Sequence, residues 1–316
     1  MLGAILRSVG RDYLNLSLRT GAGLRVRVYE RPGLWMDSAA LDALRVDLHA
    51  VAAQCLPDAA LDYGVFDPAS DALKRSIVTI VSDDKGRPIA INALALMTLD
   101  ILPEPIEVLH LGLVMVVPDQ RQRKLSWVLY GLTCFLIFIR RQMRPVWITS
   151  VTQVPAVVGM VDQMFTGVWP SPKDQPHSLS HMMIARAVMA DHRHVFGVAD
   201  AAGFDADRFV ITDAYTGGSD ALAKTWDVAA KHRDDAYNAF CADQLDYARG
   251  DDLLQVGQMD VAAMRTYLSR EVPRGAILRI LGAAAMVGLS RIVLPLTYWA
   301  DSSKAWGILR PSGWWK

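Results

Sequence analysis

Glutamate is scarce in this chain. Glu30, Glu104, Glu107 and Glu271 are its four glutamates, and the other 29 of its 33 acidic residues are aspartates. Net charge is absent as well, because 33 basic side chains balance the 33 acidic ones. A nucleic-acid binder carries a clear basic excess, so this balance argues against that partner. Cysteine is rare: Cys55, Cys134 and Cys241 form an odd set with no disulfide or metal spacing. That pattern suits a reduced, cytoplasmic setting. No secretory leader is expected, since Arg7 and Arg11 interrupt the apolar N-terminus. Long hydrophobic runs are missing too. The most apolar, Leu125 to Ile139, has 15 uncharged residues, short of the ~18–20 that a spanning helix needs. The Gly-x-Gly-x-x-Gly turn of dinucleotide-binding domains is absent.

What is present is 52% hydrophobic residues against 21% charged ones, which excludes a disordered chain. The zero net charge is also a sum of unlike parts. Residues 1–35 carry +4, residues 261–316 carry +6, and the middle carries −10. Both basic ends are rich in apolar residues, and Trp299, Trp306, Trp314 and Trp315 fall in the last 18 positions. Basic, apolar and tryptophan-rich segments favour a membrane–water interface. Four regions are expected on this basis. They are an amphipathic N-terminal helix (1–20), a central core (21–215), an acidic helical region (216–272) and an apolar basic C-terminal arm (273–316).

Periodicity predicts the elements. Leu2, Ile5, Leu6, Val9, Tyr13 and Leu16 share one helical face, so 2–18 reads as a helix. Leu24 to Glu30 alternates as a strand. Asp37 or Ser38 caps a helix to about Cys55. Ser76–Val81 and Pro88–Leu96 form a hairpin around Asp83-Asp84-Lys85-Gly86. A strand follows from Ile106 to Val117, then a basic loop, then a helix from Leu125 to Gln142. Val146–Val151 is a strand, and Pro155 opens a short helix ending near Phe165. Further on, strands are expected at Met182–Met189, Phe209–Thr212 and Leu253–Val256. Helices are expected at Ala221–Lys231, Asp235–Ala248, 260–271 and 275–298.

The most informative stretch joins an apolar strand to a helix through Pro118-Asp119-Gln120-Arg121-Gln122-Arg123-Lys124-Leu125-Ser126. Unpaired amides and the helix dipole make a helix start electropositive. Arg121, Arg123 and Lys124 add full charges, a combination that suits a diphosphate. A solvated basic turn before a buried helix is the alternative. This stretch resembles the GNAT superfamily, the acyl-CoA N-acyltransferases, whose signature is Gln/Arg-x-x-Gly-x-Gly/Ala between a strand and a helix. Arg121 matches the first position. Lys124 and Ser126 stand where the family prefers Gly and Gly or Ala. The order of elements over residues 24–190 is similar to that family's.

The resemblance implies an α/β fold with a GNAT-like mixed central sheet flanked by helices, here with helical N-terminal and C-terminal extensions. It implies acyl-CoA as co-substrate, with no metal. The coenzyme would lie against Met115, Val116 and Val117 and against the loop residues Arg121, Gln122, Arg123, Lys124, Leu125 and Ser126. Gln153 stands where many members carry an Asn that touches coenzyme A. The family's tyrosine acid has no counterpart on the helix holding Gly159, Met160 and Phe165.

Deprotonating an amine needs a base. Glu107 and His110 precede the loop, three residues apart and so on opposite faces of an ideal strand. His110 has the better ordinary pKa, ~6.5; a hydrogen-bonded core histidine is the alternative. His177/His181 and His192/His194 have ligand-like spacings but no further donors complete a metal site. Asp234-Asp235 and Asp251-Asp252 read as solvated turns or caps, though an acidic pocket would receive an amine. The expected activity is transfer of a long-chain acyl group from acyl-CoA to an amine, a lipid-like acceptor such as a sphingoid base. The enzyme would be cytoplasmic and peripherally bound to the inner face of a membrane. The alternatives are a soluble acetyltransferase of a small amine, and a non-catalytic scaffold of the same shape that binds membranes or a partner.

Overall fold

The computed structural model describes residues 13–20, 23–57, 61, 63–123, 125, 127–173, 177–278, 280–282, 284–285 and 287–289. The chain builds one mixed sheet of 11 strands flanked by helices. The strands are β1 (Asn15–Arg19), β2 (Arg25–Glu30), β3 (Ser76–Ser82), β4 (Pro88–Leu99), β5 (Ile106–His110), β6 (Val114–Val116), β7 (Val146–Thr152), β8 (Thr166–Trp169), β9 (Gly203–Asp205), β10 (Val210–Thr212) and β11 (Asp252–Met259). Their order is β1-β2-β3-β4-β5-β7-β11-β10-β9, with β6 also on β4 and β8 on β11. Every pair is antiparallel except β5 with β7.

The helices are α1 (Ser38–Cys55), α2 (Ala72–Arg75), α3 (Thr133–Arg140), α4 (Pro155–Met164), α5 (Leu179–Asp191), α6 (Asp235–Gln244) and α7 (Val261–Thr266). A π-helical turn, Trp127–Leu132, runs into α3. The Asp37 carboxylate caps α1 by accepting from the Ala40 amide at 2.8 Å. Pro155 fits the first turn of α4, where no amide partner is needed.

Alternation along the strands divides the interior. Leu109 and Ile148 face one core with Leu48 and Val51 of α1 and Phe135 of α3. Val108, Leu254 and Val256 face the other, with Ile184 and Val188 of α5 and with Phe209. Strand β11 lies between β7 and β10. The strand expected at Leu253–Val256 is β11, so the acidic region, otherwise expected to be helical, contributes a strand to the middle of the sheet.

Several expectations are corrected. Residues 1–12 of the expected N-terminal helix lie outside the described residues, but its end is strand β1, paired with β2. Leu14 and Leu16 are buried while Ser17 and Arg19 are exposed, so a period of two wins there. Met182–Met189 is part of helix α5, not a strand. Ile184, Ala185, Val188 and Met189 form one buried stripe, and Ser178 with His181 makes a capping box. Ala221–Lys231 is not a helix: a short 3₁₀ turn, Asp220–Leu222, is followed by irregular chain. The strand expected over Ile106–Val117 is broken into β5 and β6.

No single helix among the described residues is long and apolar enough to cross a membrane. The segments Val261–Glu271 and Arg274–Leu289 meet that test only together, and they are bent by 117°. Most of the C-terminal arm, including its four tryptophans, lies outside the described residues.

Candidate functional site

The break between β5 and β6 creates the site. Ala95 pairs with His110 and Asn92 with Val114, so three steps on β4 face four on the opposing chain. The extra residue is a bulge at Leu111–Leu113. Gly112 sits there because a Cβ would lie 2.1 Å from the Ala93 carbonyl oxygen. Before the bulge, β5 runs parallel to β7 through His110 and Thr149, and the Leu111 amide still donates to the Thr149 carbonyl at 2.7 Å. Beyond it β6 stays with β4 and leaves β7.

A cavity of about 700 Å³ occupies the gap, within the range of small-molecule sites. Its walls include the chain from His110 to Val116, Ser150 to Thr152 of β7, Tyr130, and Cys55 at the end of α1. The Ala93 amide donates to the Leu113 carbonyl and the Val117 amide to the Ile89 carbonyl. By antiparallel alternation the backbone groups of Val114 and Val116 then point away from β4, toward the gap.

His110 is 3% exposed. Its Nδ1 lies 3.1 Å from the Thr149 hydroxyl, and its ring packs 5.1 Å from that of Phe196. Burial lowers its pKa to about 4, so the imidazole is neutral at pH 7. Glu107 goes elsewhere. It is bound by Arg31 at 2.8 Å and by Arg141, and it is not part of the cavity wall. The two candidate bases are thus separated, His110 in the cavity and Glu107 in an ion-pair cluster.

The basic loop is a 3₁₀ turn, Pro118–Arg123. Arg121 lines the cavity, and its Nε donates to the Val116 carbonyl at 3.3 Å. Burial raises the Cys55 thiol pKa, and the Arg121 guanidinium beside it works against that rise. Arg123 is exposed. Lys124, Ser126 and the side chain of Gln122 lie outside the described residues. Leu125 is buried in the core beneath the helix. Met115 and Val116 line the cavity, while Val117 is fully buried and bonded to β4.

Gln153 is 1% exposed and is not in the wall. With its amide oriented to satisfy its neighbours, its nitrogen donates to the Lys224 carbonyl (3.0 Å). Its oxygen accepts from the Lys224 amide (2.6 Å) and lies 2.8 Å from Tyr215 Oη.

Sequence reasoning underrated Asp252. Asp251 is paired with Arg249 at 2.6 Å, as a turn carboxylate should be, but Asp252 begins β11 and lines the cavity at 5% exposure. Tyr215 Oη donates to its Oδ1 at 2.8 Å. Burial raises its pKa to about 8; the Tyr215 hydrogen bond lowers it and the Asp251 charge raises it. The signal available in the sequence was the strand that follows, Leu253 to Val256, which draws its first residue into the sheet.

The histidine pairs have protein partners. His181 Nε2 donates to the Gly167 carbonyl (2.7 Å), leaving Nδ1 to accept from Ser178. His192 Nε2 donates to the Thr98 carbonyl at 3.0 Å. Among the described residues no group of three or more His, Cys, Asp or Glu side chains is placed to hold a metal ion. No family model matches the chain, and no curated protein shows a significant sequence match to it.

Proposed function

We propose that the chain is an acyl-CoA-dependent N-acyltransferase of GNAT-like build that passes a long-chain acyl group to a lipid-like amine. The observation that carries this reading is the divergence of two parallel strands after His110 and Thr149, with a cavity between them. A pantetheine arm is an extended chain with two amides. The outward backbone groups of Val114 and Val116 offer it strand-like hydrogen bonds, and the basic turn at Arg121 and Arg123 lies where its diphosphate would follow. The amide forms by direct attack: the amine nitrogen bonds to the thioester carbonyl carbon, the carbon–sulfur bond breaks, and coenzyme A leaves as the thiol. Neutral His110, beside the bulge, has a lone pair available for the amine proton.

The mainly apolar cavity walls and the apolar, basic ends of the chain support a lipid-like acceptor and peripheral contact with the cytoplasmic face of a membrane. Leu278, Leu281 and Leu289 are exposed near the C-terminal end of the described residues, as expected for a segment that meets lipid.

The test is calorimetric titration with acyl-CoA thioesters from acetyl to palmitoyl, followed by mass spectrometry after adding a sphingoid base. Binding that strengthens with chain length, weakens in the Arg121→Ala/Arg123→Ala variant and leads to an N-acyl product is expected. No binding at any chain length would overturn the reading.

A further inference from the structure

His110 and Asp252 lie on one face of the sheet at two levels of the same cavity. His110 pairs with Thr149 of β7, and Leu253 pairs with Thr152. Asp252 is therefore level with the residue after β7, about 13 Å farther along at ~3.3 Å per residue. Val108 and Leu254, two residues from each, share the second core. The cavity wall also includes Tyr63, Phe66, Val195, Phe196 and Leu222, with Tyr215 and Lys224, and Tyr63 and Tyr215 stand near Asp252. A carboxyl so enclosed is costly to ionise unless a counter-charge is supplied. Among the described residues no cation forms an ion pair with it, and its bond is to the neutral Tyr215 hydroxyl.

We infer that Asp252, held by Tyr215, is the entry site that recognises the ammonium group of the acceptor before the amine moves on to the thioester beside His110, and that the acceptor is a primary amine with an apolar chain. This rests on the acyltransferase reading for the word acceptor; the ammonium site itself does not. The amine supplies the counter-charge that the fold leaves out. Its hydrocarbon lies along Tyr63, Phe66, Phe196 and Leu222. Arg75 and Arg121 also line the cavity; Arg121, on the basic turn, repels an ammonium from the donor's diphosphate end.

The site has a proton signature. The titratable groups facing Asp252 are Tyr63, Tyr215, Tyr247 and Asp251, with Lys224 and His110 on the same cavity. Burial raises the three tyrosines above their ordinary pKa and leaves His110 neutral at pH 7. Asp251 is already paired with Arg249. With its pKa pushed up to about 8, Asp252 is mostly protonated at pH 7. An arriving ammonium displaces that proton, so close to one proton leaves for each amine bound.

The experiment is calorimetry on the full chain at pH 7 with octylamine and with 1-octanol, in two buffers of different ionisation enthalpy. Octylamine is expected to bind about tenfold or more tighter than octanol and to release close to one proton. Asp252→Asn should lose both the preference and the proton release while binding palmitoyl-CoA as the native chain does. Tyr215→Phe, which keeps the carboxyl, should retain proton release with weaker amine binding. Equal binding of amine and alcohol, or amine binding and proton release unchanged in Asp252→Asn, would overturn the inference. If palmitoyl-CoA fails to bind the native chain while the amine signature holds, the ammonium site stands and the acyltransferase reading falls.

Discussion

Replacing Gly112 by alanine tests whether the bulge shapes the cavity. The added Cβ would lie 2.1 Å from the Ala93 carbonyl oxygen and 3.3 Å from its carbon. Ordinary contact begins near 3.4 Å, so the atoms are about 1.3 Å too close. The obstacle is backbone, which no rotamer change removes. The Ala93 amide is tied to the Leu113 carbonyl at 3.1 Å, so β4 and β6 must part at the point where β6 leaves β7. Forced overpacking costs ~1–3 kcal/mol, and loss of the adjoining strand bonds adds ~0.5–1.5 kcal/mol each. We expect Gly112→Ala to be destabilised by about 2–4 kcal/mol in urea unfolding. Its acyl-CoA affinity should fall at urea concentrations where it is still folded. Gly282→Ala is the control, because nothing lies within 4 Å of its Cβ position; removing a helical glycine should leave stability unchanged or raise it by up to ~1 kcal/mol. A Gly112→Ala chain with the native urea midpoint and native affinity would refute the account of the bulge.

Two further outcomes follow from buried charge. The Arg140 guanidinium lies 2.5 Å from Glu30, both about 6–7% exposed, and Glu30 also accepts from the Leu14 amide at 2.9 Å. Glu30→Gln removes the carboxylate paired with buried Arg140 and should cost ~3–5 kcal/mol in urea unfolding, with the Glu30→Met/Arg140→Leu double variant closer to native; a smaller loss for the single change than for the double would contradict this. For Asp252, the folded-state pKa of about 8 lies above the ordinary 3.8, so the folded state holds an extra proton between those values. Stability then falls as pH rises from about 4 to about 8. Asp252→Asn should remove that part of the decline, and equal pH slopes for the two proteins would show that the carboxyl is not buried as described.

Much of the architecture was legible where local signals agreed. Asp37 before an apolar run, the Asp83–Gly86 turn between β-branched segments, and Pro155 at a helix start each gave the observed element. Errors arose where one apolar set satisfied two periods. Tyr13 and Leu16 fit a helical face with their upstream neighbours, yet the hairpin with β2 makes Asn15–Arg19 a strand. Met182–Met189 is apolar enough for a strand, but Ser178 and His181 cap it as a helix.

At the site, the sequence offered His110 as a candidate base and Arg121 as a candidate anion ligand, and both line the cavity. Glu107 was the weaker candidate base, kept because β5 was read without its neighbours. Arg31, from the loop after β2, and Arg141, after α3, are distant in sequence and claim its carboxylate.

By itself the sequence determined the order of elements, the basic turn between a strand and an apolar helix, and the segregation of charge to the two ends. Those are properties of neighbours along the chain, governed by periodicity, capping and side-chain type. Only the tertiary structure decided where the sheet opens. That depends on one surplus residue opposite β4 and on a carbonyl that leaves room for nothing larger than glycine. It also decided that two adjacent aspartates differ: Asp251 meets Arg249, and Asp252 enters the cavity with a tyrosine for company. Their surroundings come from strands brought together across the fold, and burial and pairing set a carboxyl's chemistry.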